Sequence, residues 1–273
     1  MRNVAIYHCS IRIIGRSKGR SAVAYAAYCS GTKLYDKEVR KAYNYTGQNS
    51  VVHSEIDLPQ NAPSEFYDRE KLWNAVHEIE TRSDAQLARE VEVALPREFT
   101  RQEQIDTVRD YIMNNFVHKG MCADWGIHDK GDGNPYAHIL LTLRGFKPNG
   151  RWAEKSRTIY KLDPNGQKIP VIDPTTGQQK IGARGRKMWQ RETVPANDWN
   201  DHSKVEEWRA AWARECNKRL DQQHQIDHRS YDRQEVDKAS TIHEGHVARK
   251  MEREGQVSDR CEINREIREL NEQ

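Results

Sequence analysis

The sequence predicts an α+β fold that contains at least one antiparallel strand pair and several amphipathic helices. Three observations predict it. Ala88 to Leu95 alternates strictly between apolar and polar side chains. Cys122 to His128 and Tyr136 to Arg144 read as two strands joined by the turn-rich Asp129 to Pro135. Apolar residues recur at helical spacing behind capping patterns at Ser64, Thr100 and Ser203.

Each element follows from local chemistry. Val4 to Arg12 alternates and is rich in β-branched residues, so it reads as a strand with His8, Ser10 and Arg12 on one face. The basic, glycine-containing loop Gly15 to Arg20 precedes Ser21, which opens a short helix over the small residues Ala22 to Ala27, with Tyr25 and Tyr28 one turn apart. Residues 57–63, with two prolines, close a polar stretch that reads as irregular. Ser64 to Glu80 is a helix with Ser64 as N-cap, and Phe66, Leu72, Trp73, Val76 and Ile79 form its apolar side.

Along the strand from Ala88 to Leu95, Glu90 and Glu92 share one face while Val91, Val93 and Leu95 share the other, and Pro96 ends it. Thr100 and Glu103 form a capping box for a helix with Ile105, Val108, Tyr111, Ile112 and Phe116 on its stripe. After the hairpin, the turn sequences Asp163-Pro164-Asn165-Gly166 and Asp173-Pro174-Thr175-Thr176-Gly177 predict an exposed hairpin-like excursion over 145–195. A second capping box, Ser203 with Glu206, starts a helix whose Val205, Trp208, Trp212 and Leu220 face inward. Residues 1–223 thus read as one domain, and 224–273 as a charged segment with a helix near Arg260 to Leu270, the start of a linker to further domains.

Composition narrows the function. Only 36% of the 273 residues are hydrophobic, 31% are charged, and mean hydropathy is −0.99. No apolar run is long enough for a membrane span, and no signal-peptide pattern is present. The five scattered cysteines, with no CxxC, suit a reducing cytoplasm better than a disulfide frame or zinc ribbon. The net charge of +3 gives little long-range field, but its distribution does more. Arg144 to Arg191 carries +9 and Arg12 to Lys41 carries +6, leaving −12 elsewhere. Two basic segments in an acidic molecule suit a polyanion held along one face, and equally describe solvated loops.

His128 and His138 flank the hairpin turn, with Tyr136 on the same strand face as His138. If the Ala88 strand lies beside the hairpin, Glu90 or Glu92 reaches the imidazoles and the set can bind zinc, manganese or nickel. The same spacing also describes a core histidine and a salt-bridged glutamate. Tyr28 and Tyr25 read as packing residues from spacing alone, because a phenol with a pKa of about 10 is a poor nucleophile until a cation activates the site.

Several motifs in order resemble the MobA/MobL relaxases, the MOB-Q class of plasmid mobilisation proteins. They are Ala5-Ile6-Tyr7-His8, Ser21-Ala22-Val23-Ala24 leading to Tyr28, Arg89-Glu90-Val91-Glu92 to Leu95-Pro96, and His128 to His138 with Asn134-Pro135. Trp199-Asn200-Asp201 and Ile226-Asp227-His228-Arg229-Ser230-Tyr231 follow. The resemblance implies an HUH-type fold, a central antiparallel sheet flanked by helices, and strand-specific nicking and rejoining of DNA at an origin of transfer. It implies Tyr28 as nucleophile, forming a 5′-phosphotyrosyl link, and a divalent metal, manganese or magnesium ahead of zinc or nickel, on His128 and His138 with Glu90 nearby.

The family has histidine where this chain has Tyr136, so Tyr136 is a replacement phenolate ligand or a sign of weakened metal binding and nicking. The resemblance implies single-stranded and hairpin origin DNA, relaxosome accessory proteins and a type IV secretion coupling protein as partners. It also implies a monomer that starts in the bacterial cytoplasm and travels with its DNA. The expected DNA contacts are Arg16, Lys18 and Arg20 around a helix N-terminus, then Arg144, Arg151, Lys155, Arg157, Arg184, Arg186 and Lys187, with Trp152, Tyr160 and Trp189 as stacking or anchoring rings. A rolling-circle replication initiator, a nicking-impaired origin-binding protein and a metal-free DNA-binding domain are the competing readings.

Overall fold

A computed structural model describes residues 7–242 and 244–272 of the chain, so Val4 to Ile6 of the expected first strand lie outside the described residues. The chain forms two compact units, residues 1–226 and 227–273.

The first unit is α+β. Five strands form one antiparallel sheet: β1 (Cys9–Gly15), β4 (Val51–Asp57), β5 (Gln86–Ala94), β6 (Ala123–His128) and β7 (Tyr136–Leu141), in the order β1-β5-β7-β6-β4. The period-2 alternation of the three central strands sorts their side chains. Val91, Val93, Trp125, Ile127, Ala137 and Ile139 pack with the helices α3 (Arg101–Asn115) and α4 (Ser203–Asn217) into one apolar cluster. On the other face lie the helices α1 (Ala22–Ser30) and α2 (Arg69–Ile79). That face carries Glu90, Glu92, Asp124, Gly126, His128, Tyr136 and His138 among its residues. Both faces are covered, which is why all of β6 is buried.

The capping box at Thr100 and Glu103 forms as expected. Three expectations are corrected. The helix predicted from Ser64 begins at Arg69 behind Asp68, whose carboxylate accepts from the backbone N–H groups of Glu70 and Lys71; Ser64 to Tyr67 is a single 3-10 turn. At α4, Ser203 does not cap. Its N–H and hydroxyl both bond to Asp201, and Val205 is exposed because it falls on the solvent side of the helix. The stretch before Pro59 is not irregular: it folds into the hairpin β2 (Lys33–Asp36) and β3 (Lys41–Asn44) and then β4.

The basic excursion is a hairpin, β8 (Ser156–Tyr160) with β9 (Arg191–Pro195), extended by isolated bridges toward the turns at Asp163 and Asp173. In the second unit, α5 (Gly245–Arg253) and α6 (Asp259–Glu272) form a helical pair, one helix more than the sequence predicted. No helix among the described residues is long and apolar enough to cross a membrane.

Candidate active site

The sheet face under α1 gathers the chemically reactive side chains. In register, His128 pairs with Tyr136 and Gly126 with His138 across the hairpin, and His138 pairs with Glu92 of β5. Period 2 then sets Tyr136 and His138 side by side with His128 and the two glutamates.

Two features bring Tyr28 onto this face. Ser21 caps α1 by accepting from Ala24 N–H, and Gly31 ends the helix in the left-handed conformation at φ 64°. The helix C-terminus then rests on Gly126: a Cβ there would lie 2.1 Å from the Cys29 carbonyl oxygen, a contact only glycine permits. With the backbone this close, the Tyr28 ring centre lies 5.3 Å from those of both His128 and His138. His128 and His138 are 5.0 Å apart, and Tyr136 is 5.4 and 5.2 Å from them. Burial raises the Tyr28 pKa, and the neighbouring Tyr136 and Gln48 act against it.

Hydrogen bonding fixes the histidine tautomers. His128 Nε2 is 3.0 Å from the Cys29 carbonyl, which can only accept, so Nε2 carries the proton and Nδ1 keeps its lone pair, approached by Gln48 Nε2 at 3.3 Å. Burial lowers the His128 pKa to about 4, so the ring is neutral at pH 7. His138 Nδ1 faces Glu90 Oε1 at 2.9 Å, while its Nε2 is buried and has no hydrogen-bond partner among the described residues. An orphaned imidazole nitrogen behind a carboxylate-oriented ring is the arrangement a metal ligand needs.

Glu90, Glu92 and His138 also bring one ligand atom each within 4.8 Å of one another, a cluster able to hold a metal. Arg12 bridges the two carboxylates, 3.1 Å from Glu90 and 2.6 Å from Glu92, and compensates the buried Glu90 charge. Glu92 is held down at about 2, first by its bond to His8 and then by His138 and Arg12. Tyr25 packs against the apolar cluster beneath α1, as its spacing suggested.

The basic residues divide. Lys18, Arg151, Arg157, Arg184, Arg186 and Lys187 are exposed, and Arg20 is half-buried. Arg144, Lys155 and Arg16 turn inward instead. Arg144 and Lys155 pair with the buried Glu80 at 2.6 and 2.8 Å, and Arg16 donates to the carbonyls of His77 and Glu80 and pairs with Glu38. A buried carboxylate at the end of α2 needs those cations more than solvent does. The N-terminus of α1 is also closed to phosphate: Ala22 N–H donates to His77, and Asp36 lies against Ser21. Trp152 stacks on Phe146 and Phe66 as an anchor, Trp189 is half-buried opposite Pro170, and Tyr160 lies against Lys168 and Arg191.

Sequence reasoning missed Gln48, Gly126 and the Cys29 carbonyl. Only Gly126 left a signal, as a lone glycine inside a strand.

A family model described as the MobA/MobL family matches residues 20–254. A probable mobilization protein MobA of Bifidobacterium longum is 43% identical over 271 residues, covering 98% of this chain and 48% of its own length. A conjugal transfer protein TraA of Agrobacterium fabrum is 35% identical, covering 98% of this chain and 24% of its own. The chain therefore spans about half of the first relative and a quarter of the second. A solved structure described as the molecular basis of vancomycin resistance transfer in Staphylococcus aureus superposes with a TM-score of 0.62 at 28% identity, over 85% of this chain and 96% of that one.

Proposed function

The chain belongs to the MobA/MobL family, and from that premise we propose that it cuts and rejoins one DNA strand at a plasmid origin of transfer by tyrosine transesterification. The observation that carries this reading is the cluster of rings in which Tyr28, on a helix seated against Gly126, meets His128 and His138, both of which also meet Tyr136.

In the reaction, the Tyr28 oxygen forms a bond to the scissile phosphorus and the bond from phosphorus to the 3′ oxygen breaks. The phenolic proton ends on that 3′ oxygen, leaving a 5′-phosphotyrosyl link and a free 3′-hydroxyl, so reversal rejoins the strand. His128 and His138, packed against the Tyr28 ring, hold the phenol in place. Positioning to within about an ångström accounts for much of the rate such a site can reach.

The residues fit a divalent metal. His128 Nδ1 and His138 Nε2 would be the nitrogen ligands, with the Cys29 carbonyl behind His128, Glu90 behind His138, and Tyr136 where the family has a third histidine. Once bound, manganese or magnesium would draw charge from a non-bridging phosphate oxygen.

The exposed cations of the excursion supply a path for single-stranded and hairpin origin DNA, with exposed Lys18 and half-buried Arg20 ahead of α1 as further candidates. Relaxosome accessory proteins and a secretion coupling protein are the partners this role requires, with a monomer acting in the cytoplasm and carried over with its strand. The test is incubation with manganese and a labelled origin oligonucleotide, followed by denaturing electrophoresis. A protein–DNA band that Tyr28→Phe removes supports the reading. Specific binding without any such band would make the chain an origin-binding protein that does not cut, the alternative that Tyr136 favours.

A further inference from the structure

Arg89 is a buried cation without a counter-ion. It lies on β5 one residue before Glu90, facing the opposite side of the sheet, and is 4% exposed. Its guanidinium stands 5.0 Å over the Trp208 ring and donates from one terminal nitrogen to Asn200 Oδ1 at 2.6 Å. The other terminal nitrogen is buried with no partner, and no carboxylate pairs with Arg89 among the described residues. Desolvation lowers its pKa to about 10, with no acid acting against that. An uncompensated buried charge is costly, and such sites normally hold an anion.

A cavity of about 290 Å³ opens at this point, where the excursion joins the sheet. Asn200 forms part of its wall, with Lys155, Ser156, Thr193 and Asn197 as the other polar residues among apolar ones; no lining side chain is acidic, and the Lys155 ammonium is already held by Glu80. The Asn200 carboxamide thus stands between the cavity and Arg89 and offers the guanidinium a neutral oxygen in place of a charged one.

We propose that this cavity is a phosphate-binding subsite in which Arg89, exposed by rotation of Asn200, supplies the charge. Its ligand is either a backbone phosphate of the bound DNA strand or a free phosphate group, and the proposal rests on the DNA reading only in the choice between those sources.

The experiment uses the full chain and its Asn200→Asp variant, which places a carboxylate on Arg89. Inorganic phosphate, titrated at constant ionic strength against chloride, is expected to raise the wild-type Tm saturably. Asn200→Asp is expected to melt higher than wild type without phosphate and to show no saturable response. A wild type without a saturable response, or a variant that responds as wild type does, would overturn the subsite. If the arginine only pins the Trp199–Asn200 loop, the variant still melts higher but the wild type ignores phosphate. The source is read from a single-stranded oligonucleotide. Loss of one backbone contact reduces the slope of log K against log salt by about 0.7 in the variant, and an unchanged slope assigns the site to free phosphate. Tyr28→Phe is expected to respond to phosphate as wild type does, so failure of the cutting reaction and failure of the subsite remain separate results.

Discussion

Replacing Gly126 by alanine is expected to disable the site without changing any reactive group. The added Cβ would lie 2.1 Å from the Cys29 carbonyl oxygen, 3.1 Å from the Cys29 carbonyl carbon and 3.3 Å from the His53 carbonyl oxygen. All three are backbone atoms, so no side chain can swing aside. A carbon–oxygen contact needs about 3.3 Å, so the Cys29 carbonyl must retreat by about 1.2 Å. That carbonyl accepts the His128 Nε2 proton at 3.0 Å, and Tyr28 precedes it in the chain. The retreat leaves a buried N–H unpaired, at about 1–3 kcal/mol, and adds overpacking of about 1–3 kcal/mol. At about 2–4 °C per kcal/mol for a domain of this size, Tm falls by roughly 5–20 °C. Displacing the nucleophile by about an ångström costs on the order of 100-fold in rate. Thermal melting and single-turnover cleavage of an origin oligonucleotide measure both. A Gly126→Ala protein that melts within a degree of wild type and cuts within threefold of its rate would refute the claim that this contact seats Tyr28.

Tyr136→His restores a third imidazole beside His128 and His138, so calorimetry is expected to show about tenfold or more tighter manganese binding; unchanged affinity would mean that position 136 does not face the metal. Metal-free stability carries a pH signature from His128, whose pKa is lowered from the ordinary 6.5 to about 4. The unfolded chain binds the extra proton between those values, so stability is full above pH 6.5 and declines as pH falls toward 4, by up to about 3 kcal/mol. Urea midpoints across that range check the decline, which His128→Asn is expected to flatten. Removing the exposed Arg157, Arg184, Arg186 and Lys187 together is expected to reduce the salt slope of DNA binding with little change in Tm. Arg144→Ala does the reverse, because it removes one of the two cations that compensate the buried Glu80.

The central strands were legible because β5 alternates and turn residues join β6 to β7, and the shared face of Tyr136 and His138 followed from period 2, while the register came only with the structure. β4 was not. It is an edge strand whose only buried residue is Ile56, so Val51 to Asp57 lacks the apolar alternation that marks a covered strand. The Ser203 pattern misled because Asp201, two residues upstream, captures the groups a capping box would use. Charge counting located the basic segments but could not tell exposed Arg157 from inward-facing Arg144, whose partner Glu80 lies 64 residues away. Glu90, His128 and His138 were reachable from spacing, with metal binding and core packing both open. The role assigned to Tyr28 came from the resemblance. Its seat depends on Cys29 meeting Gly126, a contact between distant residues that no local pattern encodes.

The most direct measurement is which tyrosine carries the DNA. After reaction with manganese and an origin oligonucleotide, nuclease trimming and proteolysis, mass spectrometry is expected to find the 5′-phosphonucleotide on the peptide containing Tyr28, with fragment ions assigning it to Tyr28 rather than Tyr25. An adduct on Tyr136, on Tyr25, or on no tyrosine at all would contradict the assignment of Tyr28 as the nucleophile.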